Sequence, residues 1–157
     1  MSRRARAGLT VVSATDPRDD EAAVRDLIHR WARAVHAGDL DDVLADHTED
    51  VVVFDVPPPE DGVRGLDAHR ETWPAFFDWQ RFGAAFEVVE LSVTAGADVA
   101  WAYALLRCGT GDEVAEHPGH RLRLTLGLRR EGGRWRVAHE HHSFPLRRAV
   151  PGLRLGR

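Results

Sequence analysis

Lysine is absent from this 157-residue chain, whose 21 basic side chains are all arginine, and cysteine is reduced to the single Cys108. One thiol excludes an intramolecular disulfide and a cysteine-rich zinc site. It also fits a reducing compartment, so a cytoplasmic location is expected. Long apolar runs are missing as well. The longest are strand-sized, too short for a membrane helix, and residues 9–12 after the basic opening M-S-R-R-A-R-A-G are too short for a secretory core, so neither a membrane span nor export is expected. A continuous positive surface is lacking too. Seven arginines lie in the two ends, and between Ala7 and Leu146 the remaining 14 face 25 carboxylates. Nucleic acid is therefore not an expected partner.

What remains is the composition of one globular domain, 43% hydrophobic and 29% charged. The expected organisation is a flexible arm over residues 1–15, one domain over 16–146 and a basic tail over 147–157. Asp16-Pro17 reads as a helix cap and first helical residue, with Asp19, Asp20 and Glu21 at the positive end of the helix dipole. Val24, Leu27, Ile28, Trp31, Ala34 and Val35 then recur at helical spacing, up to the stop at Gly38. Asp39 caps a second, short helix that ends at His47-Thr48-Glu49-Asp50. A β-branched strand, Val51-Val52-Val53-Phe54, closes on Asp55, and Pro57-Pro58-Pro59 and Gly62 mark a loop. Residues 66–79 form a third helix, with His69, Trp73, Phe76 and Phe77 on a common side and Pro74 kinking or dividing it. Four antiparallel strands follow, over 85–94, 98–108, 120–130 and 134–144, the middle two joined by a longer Gly/Pro loop. Helices first and strands afterwards make an α+β domain.

The last strand, R-W-R-V-A-H-E-H-H-S-F, concentrates the chemistry. Strict alternation puts Trp135, Val137, His139, His141 and Ser143 on one face and Arg136, Ala138, Glu140, His142 and Phe144 on the other. Glu140 and His142, two residues apart, form a carboxylate–imidazole pair suited to proton shuttling, or equally to a satisfied buried contact. His139-Glu140-His141 also presents an H-x-H pair, but no third ligand is evident, and no metal site is expected. Neither a Ser-His-Asp signature nor a phosphate-binding glycine loop occurs. Asp55 is the other candidate. It suits a general base, and before Pro57 it suits a loop cap as well.

Ala37-Gly38-Asp39-Leu40-Asp41 after an amphipathic helix, then an acidic run into a strand ending at Asp55, resembles the opening of ketosteroid isomerases and SnoaL-like polyketide cyclases of the nuclear transport factor 2-like superfamily. Gly65-Leu66-Asp67-Ala68-His69-Arg70 and Trp135 to Ser143 are similar to the association domain of calcium/calmodulin-dependent protein kinases in the same superfamily. The resemblance spans residues 22–145. It implies a cone-shaped, cystatin-like α+β barrel, three N-terminal helices packed on a curved, mostly antiparallel sheet with a pocket at its open end. It also implies a register, with Ala138, Glu140 and His142 inward beside Leu124, Leu126 and Leu128, and with Ala100, Ala102, Ala104 and Leu106. The opposite face, Trp101, Tyr103, Leu105, Trp135, Val137, His139 and His141, is then covered in a homodimer.

By the same resemblance the domain binds a small, mainly apolar carbonyl or polyketide-like molecule. It acts as a cofactor-independent isomerase, cyclase or dehydratase, or serves as a noncatalytic binding or oligomerisation domain. Asp55, His69, Glu140 and His142 are the catalytic candidates, and Trp31, Trp73, Phe77 and Leu126 the ligand-binding ones. Trp31 and Leu126 stand where ketosteroid isomerases carry oxyanion donors, which argues against steroid isomerisation. Asp55, facing Trp31 and Trp73, should have a raised pKa unless an adjacent histidine cation opposes it.

Overall fold

The computed structural model describes residues 16–146, so the expected arm and tail lie outside the described residues. Helix α1, Pro17–Ala37, begins where Asp16 accepts a hydrogen bond from the Arg18 N–H at 2.9 Å, and it stops at Gly38, whose φ of 72° only glycine adopts without strain. Its stripe of Val24, Leu27, Ile28, Trp31 and Val35 is buried, and the helix packs across the strand Ala85–Ala95. At its first turn Asp20 pairs with Arg130 and accepts from the Trp135 indole at 3.2 Å, while the Arg130 guanidinium lies 4.3 Å from the Trp135 ring centre. That contact clamps α1 onto the far end of the sheet.

The short α2, Leu40–Leu44, is capped by Asp39. Chain direction then changes earlier than the residues suggest. His47 does not end a helix but starts strand β1, His47–Phe54, which pairs in parallel with the last strand. Arg136 secures the junction by donating to the carbonyls of Ala45 and His47 at 3.3 and 3.1 Å. A short β2, Val63–Arg64, returns along β1. Between them Gly62 sits where a Cβ would lie 2.3 Å from the Val53 carbonyl, so only glycine lets the proline loop fold back on the strand end.

The expected third helix is divided into α3, Leu66–Arg70, and α4, Trp73–Gln80, with Pro74 in the first turn of the second piece. Strands β3, Ala85–Ala95, and β4, Val99–Gly109, follow. The loop expected after them holds a helix, α5, Gly111–Glu116, started by a capping box between Thr110 and Glu113. Strands β5, Leu122–Glu131, and β6, Arg134–Ser143, complete a curved, open sheet of order β2-β1-β6-β5-β4-β3, antiparallel except for β1–β6.

The inward register of β4 and β5 is as expected, with Ala100, Ala102, Ala104 and Leu106, and Leu124, Leu126 and Leu128, all at most 2% exposed. Register on β6 is not. Gly127 pairs with His139 but Leu128 with Val137, so Ala138 is an extra residue in the ladder, a β-bulge. The bulge breaks the alternation. Trp135 and Val137, expected on the outer face, are buried at 6% and 2%, together with Glu140 and His142. Ala138, expected inward, is only half-buried, while His139 and His141 stay on the outer side, edge-on to Phe54 at 5.2 and 5.9 Å. Val99, Trp101 and Tyr103 remain exposed on that outer side, at 67%, 50% and 40%.

Candidate active site

Four titratable side chains run in a string from the middle of the domain to a cavity. His47 Nε2 lies 2.5 Å from Glu140 Oε1, Glu140 Oε2 lies 3.7 Å from His142 Nε2, and His142 Nδ1 lies 3.3 Å from Asp55 Oδ1. Carboxylate and imidazole alternate along it. Glu140 is 0% exposed and His47 2%, whereas the Asp55 side chain, just past β1, is 42% exposed. The β6 bulge supplies the inward pair Glu140 and His142, and the parallel β1 supplies His47 at one end and Asp55 at the other.

Charge follows from this geometry. Burial would push the Glu140 carboxyl up, but the charge and hydrogen bond of His47, and then the charge of His142, overcome it and hold the group at about 2. An ionised carboxylate only accepts, so the proton of the His47 contact resides on His47 Nε2. Burial also opposes a charge on His142, yet its hydrogen bond to Asp55 and the charges of Glu140 and Asp55 raise its pKa above the ordinary histidine value. Asp55 is pushed up by burial, and that push is outweighed by the hydrogen bond and charge of His142 and by the Val56 N–H, which donates to it at 2.7 Å. Its pKa is lowered, the outcome foreseen for a neighbouring histidine cation.

His69 belongs to the cluster but not to the cavity. It is 1% exposed, 5.2 Å from the His47 ring, and its Nε2 accepts from the Trp73 indole at 3.3 Å. Burial lowers its pKa, and the Glu140 charge does not restore it against those of His47 and His142. It is a neutral ring with its proton on Nδ1. His47, His69 and Glu140 do bring three donor atoms within 4.8 Å of one another. Two ligands on one ion at about 2.0–2.2 Å stand roughly 3 Å apart or more. The 2.5 Å His47–Glu140 contact is closer than that. Trp73 already occupies a lone pair of His69, and neither Nδ1 has the outer partner that orients metal-bound imidazoles. A shared proton fits this geometry better than an ion.

The cavity measures about 890 Å³. Asp55 and His142 lie at its inner wall, among Val53, Trp73, Phe76, Trp79, Phe86, Cys108, Leu122 and Phe144, with the proline loop and α5 at its sides. Of the expected ligand-binding residues only Trp73 lines it. Trp31 stands behind His142, stacked on it at 6.3 Å, Phe77 stacks on the far face of the aromatic cluster against Trp73 at 5.5 Å, and Leu126 is core beneath Glu140. Phe76 and Trp79 take the place of Phe77 because α4 restarts after Arg70 and turns its other side to the cavity. Cys108 is an inert thiol there, pushed up to about 12 by burial and then by the Asp55 and Glu113 charges. The residue that sequence reasoning missed is His47. Its signal was the polar run H-T-E-D, which suits a helix end as well as a strand start.

Residues 24–147 match the model of the SnoaL-like domain. The chain belongs to that family. A nuclear transport factor 2-like protein of unknown function from Pseudomonas putida KT2440 is similar over 88% of this chain and 98% of its own, at 33% identity and a TM-score of 0.75. A candidate ketosteroid isomerase from Shewanella frigidimarina shares the fold at 18% identity, covering 77% and 94%, with a TM-score of 0.63. So does a candidate dehydratase of the same superfamily from Streptomyces avermitilis, at 14% identity, 83% and 99% coverage and a TM-score of 0.68. No curated protein matches the chain in sequence. Among the described residues of this SnoaL-like domain, no helix is long and apolar enough to cross a membrane.

The electrostatic arrangement makes a prediction. Replacing His142 by Gln removes the cation and leaves burial to act on Asp55, so the Asp55 carboxyl should titrate below a free aspartate in the wild type and above it in His142→Gln. Carbon-detected NMR of the carboxyl reads this directly. An identical titration in both proteins would mean that the imidazole does not hold Asp55 ionised.

Proposed function

We propose that this SnoaL-like domain is a cofactor-independent acid–base enzyme, an isomerase, cyclase or dehydratase, acting on a small apolar carbonyl or polyketide-like compound. The observation that carries this reading is the Asp55–His142 pair, 3.3 Å apart at the inner wall of an otherwise largely apolar cavity. Two fold neighbours bear the names isomerase and dehydratase, reactions of this class.

The pair has what a proton transfer next to a carbonyl needs. Asp55 is the base that takes the C–H proton, and the electron pair moves to the carbonyl oxygen or expels a hydroxyl. On protonation Asp55 loses the charge that held the His142 Nδ1–H, and that N–H is freed to donate to the oxygen, giving an enol in one case and water in the other. His142 is then neutral beside a protonated Asp55. Return of that proton to Nδ1 restores the starting state, so no external acid, base or redox partner is consumed. Glu140 supports the imidazolium from the other nitrogen, 3.7 Å away. The lowered Asp55 pKa makes it a modest base, so the substrate must carry an activated C–H, as a 1,3-dicarbonyl or polyketide-like compound does. Of the groups in the string, His142 is the donor that reaches the cavity wall beside Asp55.

A noncatalytic binding domain would need only the shape of the cavity. We also propose that the exposed Val99, Trp101 and Tyr103 face is covered in a homodimer, because an aromatic outer sheet of this kind exceeds what a monomer usually leaves in water.

Asp55→Asn, nearly isosteric, should keep the fold and the binding of compounds found by thermal shift while turnover falls by about a hundredfold or more. Undiminished turnover of a true substrate would remove Asp55 from the chemistry. For assembly, light scattering at micromolar concentration should give roughly twice the chain mass. A single-chain mass would refute the dimer.

A further inference from the structure

The proposed chemistry uses Asp55 and His142, but the shortest contact in the string lies at its other end, away from the cavity they line. His47 is 2% exposed, does not line the cavity, and touches Glu140 at 2.5 Å. Its backbone is fixed with unusual care for a strand start. The Arg136 guanidinium holds its carbonyl at 3.1 Å, and the Val137 N–H holds the neighbouring Asp46 carbonyl at 2.8 Å. Between His47 and Val52 the β1–β6 register slips, so His47 enters the interior opposite Val137 while Val52 pairs with His139. Local irregularity of this kind re-aims a side chain, and here it aims an imidazole at a carboxylate.

We propose that His47 is a positioning residue: through its Nε2–H it fixes one oxygen of Glu140, so that the other oxygen faces His142 and keeps that imidazole the proton donor of the cavity. Glu140 has two oxygens and two imidazoles to serve. Oε1 accepts from His47, and Oε2 has no hydrogen-bond partner but stands 3.7 Å from His142 Nε2, whose own N–H is likewise unmatched. With His47 in place the carboxylate cannot turn both oxygens toward His142 and cannot take up its proton cheaply. Without that donor, burial would drive Glu140 toward the neutral acid, and His142 would lose one of its two counter-charges.

All the charged and titratable neighbours of His142 have a part in this. Asp55 follows β1, Glu140 shares β6, His47 opens β1, and His69 on α3 is a neutral ring that accepts from Trp73. The stacked neighbour on α1 is Trp31, which carries no charge. Cys108 on β4 keeps its thiol proton. Only the carboxylates hold the imidazolium, and of those only Glu140 is held in turn by His47. The inference rests on the reading of His142 as the acid, but its first test needs no substrate.

Histidine nitrogens would be followed by NMR against pH in wild type, His47→Gln, His47→Leu and Glu140→Gln. Gln retains an N–H donor and should leave the His142 titration close to wild type. His47→Leu should lower the proton affinity of His142 by about tenfold or more, and Glu140→Gln should do the same. Where His47→Leu does not fold, His47→Asn, whose shorter amide cannot reach Glu140, takes its place, and an unchanged His142 titration in either variant would overturn the inference. With a substrate in hand, the high-pH limb of the rate profile should move to lower pH in His47→Leu and stay in place in His47→Gln. An unchanged His142 titration in Glu140→Gln would overturn the inference, whatever the activity, whereas a shifted titration with wild-type turnover would instead count against the proposed chemistry. Stoichiometric zinc or iron in the purified protein, lost in His47→Gln, would overturn it too, since a metal would occupy the lone pairs assigned here to a proton.

Discussion

A carboxylate with no exposure to water is the constraint on which this domain turns. Glu140 sits inside the sheet, paired across its strands with Leu126 and Val53, where an isolated charge would be untenable, and it is kept ionised by imidazoles on both sides. Removing one partner of such a buried pair typically costs about 3–5 kcal/mol, because the other is left uncompensated. The parts of the fold that look irregular serve this arrangement. The Ala138 bulge turns Glu140 and His142 inward without expelling Trp135 and Val137, and the slipped start of β1 brings His47 to meet them.

The same constraint orders the site chemically. Two carboxylates share one imidazolium, one of them sealed in the core and the other open to the cavity. This asymmetry separates roles that their sequence neighbours do not reveal. Glu140 can only balance charge, while Asp55 can meet a ligand. Burial pushes both carboxyls upward, and in both the histidines win, so the cavity wall carries an ion pair rather than a neutral acid. That differs from the ketosteroid isomerase arrangement, where a protonated carboxylic acid donates to the oxyanion.

Much of the scaffold was legible in the sequence because it depends on local signals. The Asp16-Pro17 start, the Gly38 stop, the α1 stripe and the alternation of alanines and leucines in β4 and β5 need no knowledge of partners. Asp55 and the His142–Glu140 pair were legible too, through residue types that a plain strand does not require. What failed was strict periodicity. A bulge is a property of two strands, and nothing in V-A-H-E-H states that Ala138 has no partner on β5, so Trp135 and Val137 were placed on the wrong face. His47 was hidden for a similar reason, since H-T-E-D becomes a strand only by pairing with residues ninety positions later, and α5 was hidden by the Gly/Pro-rich stretch that contains its capping box. Phe77, Trp31 and Leu126 were expected as ligand-binding residues and do not line the cavity, because which rings border it depends on how α4 restarts after α3.

Everything in this arrangement requires Glu140 to be an anion in the core of the folded protein. Infrared difference spectroscopy of wild type against Glu140→Gln isolates the vibration of this one side chain. A carboxylate band is expected at neutral pH, persisting to a pH below that at which a free glutamate takes up its proton. A protonated carbonyl band at neutral pH would contradict it, for then neither histidine would have a counter-charge in the core.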